Sequence, residues 1–301
     1  MRIFVTGGSG MLGSAVSLYL KDCFEVYSSY TANRISIKGC KMSYLDITNP
    51  KETFESIQKI NPDVIIHSSA LVGINACEKN PELAHEINVR GTKNIAQASK
   101  KTNAKLVYIS TDYVFDGIIG MYDEEAKTNP INVYGKTKLE GERFIDVNKN
   151  LIVRTSIYGW NIVKNKKSFS TWVIGELGIG NKINVFDDQY NSMMLVNDCA
   201  AALKELIEGD FAGVINISSR ERISKCDFAV GLAGIFSLDK KLIQPVKNSQ
   251  MAGWEMRPPD VSLNCAKAKK HLKKELPNIK SGLEKLKMLG DNDYLSDFRV
   301  I

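Results

Sequence analysis

Tyr134 and Lys138 stand four residues apart in Asn132-Val133-Tyr134-Gly135-Lys136-Thr137-Lys138, a spacing that sets both side chains on one face of a helix. Such a pair can move a proton. A free phenol, with a pKa of about 10, is a poor proton shuttle at neutral pH, and an adjacent ammonium favours the phenolate. Alone, Y-x-x-x-K is a weak signal in a lysine-rich chain, where an exposed Tyr-Lys pair is the common meaning. Ser110-Thr111-Asp112 supplies a second group at the carboxyl end of a predicted strand, Lys105 to Ile109. A hydroxyl there can donate to a carbonyl oxygen as negative charge develops on it, although the same three residues would also serve as a strand-capping turn.

A third group is Thr6-Gly7-Gly8-Ser9-Gly10-Met11-Leu12-Gly13, set between a predicted strand at Arg2 to Val5 and apolar residues at helical spacing from Met11 to Leu20. It reads as G-x-G-x-x-G from Gly8 or as G-x-x-G-x-x-G from Gly7, and its place in a βαβ opening is what makes it specific. Glycines there permit a tight turn and let a dinucleotide pyrophosphate approach the helix N-terminus. The end of the second strand offers Ser28, Ser29 and Tyr30, with no carboxylate for ribose hydroxyls. The next charged side chains are Arg34 and Lys38, suited to a 2′-phosphate, so NADP(H) is preferred as cofactor, with NAD(H) possible. Asp46 and Ile47 either border the adenine or, in the case of Asp46, hold a turn.

The elements that must position these groups alternate. Strands are predicted at Glu25 to Ser29, Asp63 to His67, Lys105 to Ile109, Leu151 to Arg154 and Gly213 to Ile217. Helices are predicted at Lys51 to Lys59, as one long piece from Pro81 to Ser99, and from Pro130 to about Phe144, with an irregular stretch before Lys51. This order predicts an α/β fold: a Rossmann-like, doubly wound parallel sheet with a smaller C-terminal α+β substrate lobe. The dinucleotide-binding domain is expected at 1–157 plus about 187–223, and the lobe at about 158–186 plus 224–301.

Composition narrows the class. With 44% hydrophobic and 25% charged residues, a packed globular protein is expected rather than disorder. The apolar run in MRIFVTGGSG is too short for a signal peptide or membrane span. The six cysteines include no C-x-x-C pair, so reduced thiols in a cytoplasmic protein are expected, and no metal site is assigned; His67, His85 and His271 read as a strand end and two helix-surface positions. Much of the net charge of +6 lies in Lys267, Lys269, Lys270, Lys273 and Lys274, a solvated helix face rather than a nucleic-acid surface.

TGGSGMLG, PDVIIHSSA, ACEKNPELAHEINVRGTKN, ISTDYVFDG, NVYGKTK and RPPDVSLN, in this order, resemble the extended short-chain dehydrogenases, specifically the dTDP-4-dehydrorhamnose reductase branch. The resemblance is close over the first 160 residues and thinner beyond. It implies reduction of the 4-keto group of a nucleotide-activated deoxysugar. Thr111 would polarise the carbonyl, Tyr134 would donate the proton, and Lys138 would bind the nicotinamide ribose and tune Tyr134. Gly7, Gly10, Met11, Leu12 and Gly13 would contact the pyrophosphate, Asp46 and Ile47 the adenine end, and Ser69 and Ala70 the middle of the dinucleotide. Asp112, Tyr113 and Gln189 would face the sugar nucleotide, and Arg257 would neutralise its phosphates; a homodimer is compatible with the family.

The chain departs from that pattern in three places. Ile157 stands where the family stacks a tryptophan on the sugar, and Asp188-Gln189-Tyr190-Asn191-Ser192-Met193-Met194 has methionines in place of the family's proline and threonine. The terminal DNDYLSDFRVI has no assignment. Two rival readings follow. A 4,6-dehydratase would need a glutamate where this chain has Tyr113. A non-catalytic NADP-binding subunit, like the regulatory β subunit of methionine adenosyltransferase, would keep the same residues without using them.

Overall fold

The computed structural model describes residues 1–163, 167–209, 211–250 and 257–301. From the N-terminus run β1 (Arg2–Thr6), α1 (Met11–Leu20), β2 (Glu25–Tyr30), β3 (Ile35–Ile37), β4 (Lys41–Tyr44), α2 (Pro50–Ile60), β5 (Val64–His67), α3 (Ile74–Lys79), α4 (Pro81–His85), α5 (Thr92–Thr102), β6 (Lys105–Thr111) and α6 (Val133–Glu142). Then follow β7 (Leu151–Thr155), β8 (Ile157–Tyr158), α7 (Phe169–Gly178), β9 (Ile183–Phe186), β10 (Tyr190–Asn191), β11 (Met194–Leu195), α8 (Val196–Glu208), β12 (Gly213–Asn216), β13 (Ile223–Ser224), α9 (Lys225–Ile235), β14 (Ile243–Val246), α10 (Ala268–His271), α11 (Ile279–Asp291) and β15 (Phe298–Val300).

Seven strands form one parallel sheet in the order β12-β7-β6-β5-β1-β2-β4. The strand order reverses between β1 and β5, so the loops after these two strands flank the crevice where open α/β sheets take ligands. Alternation along each strand feeds two cores. Ile3, Val5 and Ile66 pack with α1 and α8, whereas Phe4, Ile65 and Leu106 pack with α2 and α5. A further core, built from Tyr158, Val173, Ile183, Phe228 and Leu283, holds the smaller lobe, in which β14 pairs β9 in parallel beneath α7, α9 and α11.

Several expectations need correction. The stretch before α2, expected to be irregular, contains β3 and β4, and β4 is the sheet's edge. The single helix expected from Pro81 to Ser99 is α4 and α5 joined by a π-helical turn, Glu86–Gly91, with α3 ahead of them. Asn88 explains the wide turn: its side-chain amide bonds Leu71 O at 3.1 Å and Thr137 Oγ1 at 3.0 Å, and its Oδ1 accepts from Leu71 N, so the turn ties the loop after β5 to α6. Ser110 and Thr111 belong to β6 rather than following it. Val261, Leu263, Cys265, Ala268 and Leu276 pack in the same buried cluster as Ile3, Val5 and Leu203. The unassigned terminus forms β15, antiparallel to β3, with Phe298 in a small cluster with Ile35, Ile37 and Ile162.

One buried ion pair fastens the middle of the sheet. Arg154, at the end of β7, donates from Nε and Nη2 to the two carboxylate oxygens of Glu142 at 3.0 and 2.8 Å, and Ser110 Oγ of β6 donates to the same carboxylate at 2.6 Å. Both charged side chains are under a tenth exposed. Removing one member strands the other charge in the interior. Glu142→Ala is therefore expected to lower the unfolding free energy by about 3–5 kcal/mol, while the double change Glu142→Met with Arg154→Met recovers most of that loss. Urea unfolding midpoints check both; a double variant no more stable than the single would mean that the pair's geometry, rather than its charge, is what the fold needs.

Candidate active site

Helix α1 begins at Gly10 without a side-chain cap and with no acidic residue in its first turn. Its free amides form an anion site beside the loop after β5. Gly7, with φ of +73°, is the tight point: a Cβ there would lie 2.8 Å from Ser69 N. Ser68 Oγ donates to Thr6 O at 2.6 Å and Ser69 N to Thr6 Oγ1 at 3.3 Å, holding Ser69 and Ala70 against the glycines. Gly7, Gly10, Met11, Leu12 and Gly13 thus lie together around an open helix end, a cradle that fits a dinucleotide pyrophosphate.

The adenine-side candidates are spread along this rim. Ser28 and Ser29 are buried at the end of β2, and Arg34 is exposed just before β3, its carbonyl accepting from Ile301 N at 2.9 Å. Asp46 Oδ1 accepts from Thr48 N and Thr48 Oγ1, which is the turn role open to it, and Ile47 is buried in the core against Gly91.

Thr111, Tyr134 and Lys138 converge beside this cradle, at the carboxyl end of β6. Asn132 caps α6 by accepting from Gly135 N at 2.8 Å, and Glu78 of α3 takes the amide of Val133 at 2.8 Å. Gly135 lets the helix approach: a Cβ there would sit 2.1 Å from Tyr113 O. The Tyr134 ring meets that of Tyr113 edge-on at 6.1 Å, and the Thr111 hydroxyl donates to Asp112 Oδ1 at 3.0 Å. Lys138 is 3% exposed, with its ammonium 4.1 Å from the centre of the Tyr108 ring. His67 is wholly buried below, its ring nitrogens on Thr6 and Thr92 hydroxyls at 2.7 and 3.0 Å, and burial with the nearby Lys138 charge pushes its pKa down to about 3.

Burial governs the titration of the pair. It pushes the Tyr134 phenol well above its ordinary value, against the lowering effect of the Thr111 hydroxyl. The depressed phenol anticipated from the Tyr-Lys spacing is therefore reversed: desolvation raises it, Asp112 adds to the rise, and the Lys138 ammonium lies over the Tyr108 ring. Burial also pushes Lys138 down to about 7, with Glu142 opposing. A neutral phenol is the form able to deliver a proton to a carbonyl oxygen.

The substrate-side candidates line the space between the two lobes. Asp112 is 2% exposed; its carboxylate accepts from Asn191 Nδ2 at 2.7 Å and Thr111 Oγ1 at 3.0 Å, and burial raises its pKa. Burial pushes the Tyr113 phenol up to about 12, with Asp112 adding and Arg257 opposing. Arg257 reaches Asn75 Oδ1 at 3.1 Å, and Gln189 Nε2 reaches Asn248 Oδ1 at 3.1 Å. Ile157 and Met194, both departures from the expected pattern, are cross-strand partners of β8 and β11.

Sequence reasoning missed Asn88, Glu142, Asn191 and Lys225. Glu142 had a signal, since Tyr134, Lys138 and Glu142 recur every four residues along one helical face. Asn88 and Asn191 lie inside segments quoted above, but nothing local marked their side chains, 46 and 57 residues from Tyr134, as reaching Thr137 and Asp112; Lys225, 91 residues away, lies in no quoted segment.

The family model for the RmlD substrate binding domain matches residues 1–289. The chain belongs to that family. It is similar to the crystal structure of a hypothetical dTDP-4-dehydrorhamnose reductase from Sulfolobus tokodaii, with 35% identity and a TM-score of 0.83 over 92% of this chain and 97% of that one. It is also similar to dTDP-4-dehydrorhamnose reductase from Bacillus anthracis in complex with NADP, with 31% identity and a TM-score of 0.84 over 95% and 98%. Methionine adenosyltransferase 2 subunit beta from Xenopus tropicalis is 30% identical over 284 residues, 89% of this chain and 82% of that protein. Family membership explains the seven-stranded parallel sheet.

The depressed Lys138 makes a stability prediction with a defined sign. An unfolded lysine titrates near 10.4, so the folded protein carries a cost that grows as pH falls from about 10 toward 7 and is constant below. Lys138→Met is expected to raise the melting temperature at pH 7 and to raise it less at pH 9. Scanning calorimetry at the two values checks this; a lower melting temperature at pH 7 would mean that the ammonium is a net stabiliser.

Proposed function

We infer that the protein is an NADP(H)-dependent reductase of the 4-keto group of a nucleotide-linked 4-keto-6-deoxysugar. The observation that carries this is the set of Thr111 and Lys138, both buried, with a half-buried Tyr134 whose phenol desolvation pushes upward, next to an uncapped glycine turn. Gly7, Gly10, Met11, Leu12 and Gly13 hold the pyrophosphate, Ser69 and Ala70 border the middle of the dinucleotide, Asp46 and Ile47 its adenine end, and Arg34 the 2′-phosphate. NADPH supplies hydride to the carbonyl carbon. Thr111 donates to the carbonyl oxygen, Tyr134 delivers the proton to it, and Lys138 binds the ribose and holds positive potential beside the phenol. Asp112, Tyr113 and Gln189 position the sugar nucleotide, and Arg257 faces its phosphates.

A second reading, an NADP-binding regulatory subunit without turnover, is favoured by the identity to methionine adenosyltransferase 2 subunit beta. One experiment separates them: NADPH oxidation by the purified protein with a panel of nucleotide-linked 4-keto-6-deoxyhexoses generated in place by their dehydratases. Consumption with one member establishes the reductase; tight NADPH binding with no consumption establishes the regulator.

Two variants test the roles. Tyr134→Phe is expected to abolish reduction while leaving NADPH affinity nearly unchanged, since only the proton donor is lost, and full turnover by it would remove Tyr134 from the mechanism. Arg34→Ala is expected to weaken NADPH about tenfold or more with little change for NADH, as loss of a charged hydrogen bond requires. Equal loss for both cofactors in fluorescence titrations would take the 2′-phosphate away from Arg34.

A further inference from the structure

β2 and β4 are parallel neighbours in the sheet, so the chain between them must return from the carboxyl edge of the sheet to its amino edge. β3 makes that return. Its start lies on the side of the glycine cradle: Gly8 N donates to Ser29 O at 2.6 Å near the end of β2, and Arg34 follows a short loop after Tyr30. Its far end reaches the close of α1, where a Cβ on Gly39 would meet Lys21 Cδ at 2.9 Å. β15 runs antiparallel to β3, with Val300 opposite Ile35, Arg299 opposite Ser36 and Phe298 opposite Ile37. The ladder extends one step at each end, since Ile301 N donates to Arg34 O at 2.9 Å and Lys38 N to Asp297 O at 3.0 Å. β15 therefore runs toward the cradle.

Alternation divides the side chains of this strand pair between two faces. Ile35, Ile37 and Phe298 are buried on one, with Leu18 of α1 and Ile162. Arg34, Ser36, Lys38, Asp297 and Arg299 fall on the other, because residues opposite each other in a ladder share a face. Lys38 and Asp297 pair across the strands at 3.8 Å. Arg34 and Arg299 are left as diagonal neighbours, about 7–8 Å apart, a separation that long side chains span. Both are exposed, and among the described residues neither guanidinium takes a hydrogen bond or an ion pair. Two like charges on one face repel, and an anion with several acceptor oxygens between them satisfies both.

We propose that Arg299 is a cofactor-binding residue that, with Arg34, grips the 2′-phosphate of NADP(H), and that β15 is the strand that brings it there. This rests on the NADP(H) reading above and adds to its 2′-phosphate site a second cation from a strand remote in sequence. A phosphate monoester carries a charge of about −1.5 to −2 at pH 7 and three acceptor oxygens, which two guanidinium forks match better than one. The bond from Ile301 N to Arg34 O also fixes the backbone from which Arg34 reaches.

The test is titration calorimetry of the full chain with NADPH, NADH, adenosine 2′,5′-bisphosphate and 5′-AMP. Arg299→Ala is expected to weaken NADPH and the bisphosphate about tenfold or more, as loss of a charged hydrogen bond requires, and to leave NADH and 5′-AMP unchanged. Arg299→Glu is expected to weaken the two 2′-phosphorylated ligands further, and Arg34→Ala combined with Arg299→Ala to bring NADPH down to the affinity of NADH. Arg299→Ala that binds NADPH as tightly as wild type overturns the assignment and leaves the roles of Arg34 and of the reductase site intact. Equal loss for NADPH and NADH overturns it as well, and marks β15 as a packing element. Wild type that binds NADPH no better than NADH overturns the 2′-phosphate site altogether, Arg34 included.

Discussion

The Glu142–Arg154 pair is the interaction on which the geometry of the candidate site rests. It joins α6, which carries Tyr134 and Lys138, to β7, and through Ser110 to β6, which carries Thr111. A bidentate guanidinium-carboxylate contact fixes both distance and plane, so the helix cannot roll relative to the strand without breaking two charge-assisted bonds in a dry interior. Buried pairs add little net stability compared with apolar packing of equal volume. Here the pair ties α6 to β6 and β7, and Glu142 is also the acid that supports the charge of Lys138.

Around that fixed point, desolvation has opposite effects on the two titrating residues. It keeps the phenol protonated and makes the ammonium costly. Both effects are compatible with the roles proposed for the two residues, a proton donor and a cation in a site of low dielectric. The ammonium is held over the Tyr108 ring, and the helix bearing it is tied to the loop after β5 by Asn88 on a π-helical turn. An irregular helix here has a definite cause, the need to turn one amide toward two partners in different elements.

The smaller lobe packs its own core and reaches back to the sheet. Its methionine-bearing loop runs through β10 and β11, placing Asn191 on Asp112 and Met193 under Lys225. β15, laid along β3 and packed on Ile162, makes the terminus a paired edge strand beside β3.

The parallel sheet, the glycine cradle and the Tyr134–Lys138 face were legible from local pattern, because strand alternation, helical spacing and a glycine-rich strand-to-helix turn are each encoded within about 10–15 neighbouring residues. Only the tertiary structure decided that burial raises the Tyr134 phenol, and that Asn88 bonds Thr137 and Asn191 bonds Asp112. It also decided that Val261, Leu263, Cys265, Ala268 and Leu276 join the buried cluster of Ile3 and Val5 and that the terminus forms a strand. Burial and long-range pairing depend on groups brought together across the fold, and a chain read in order carries no local signal of either.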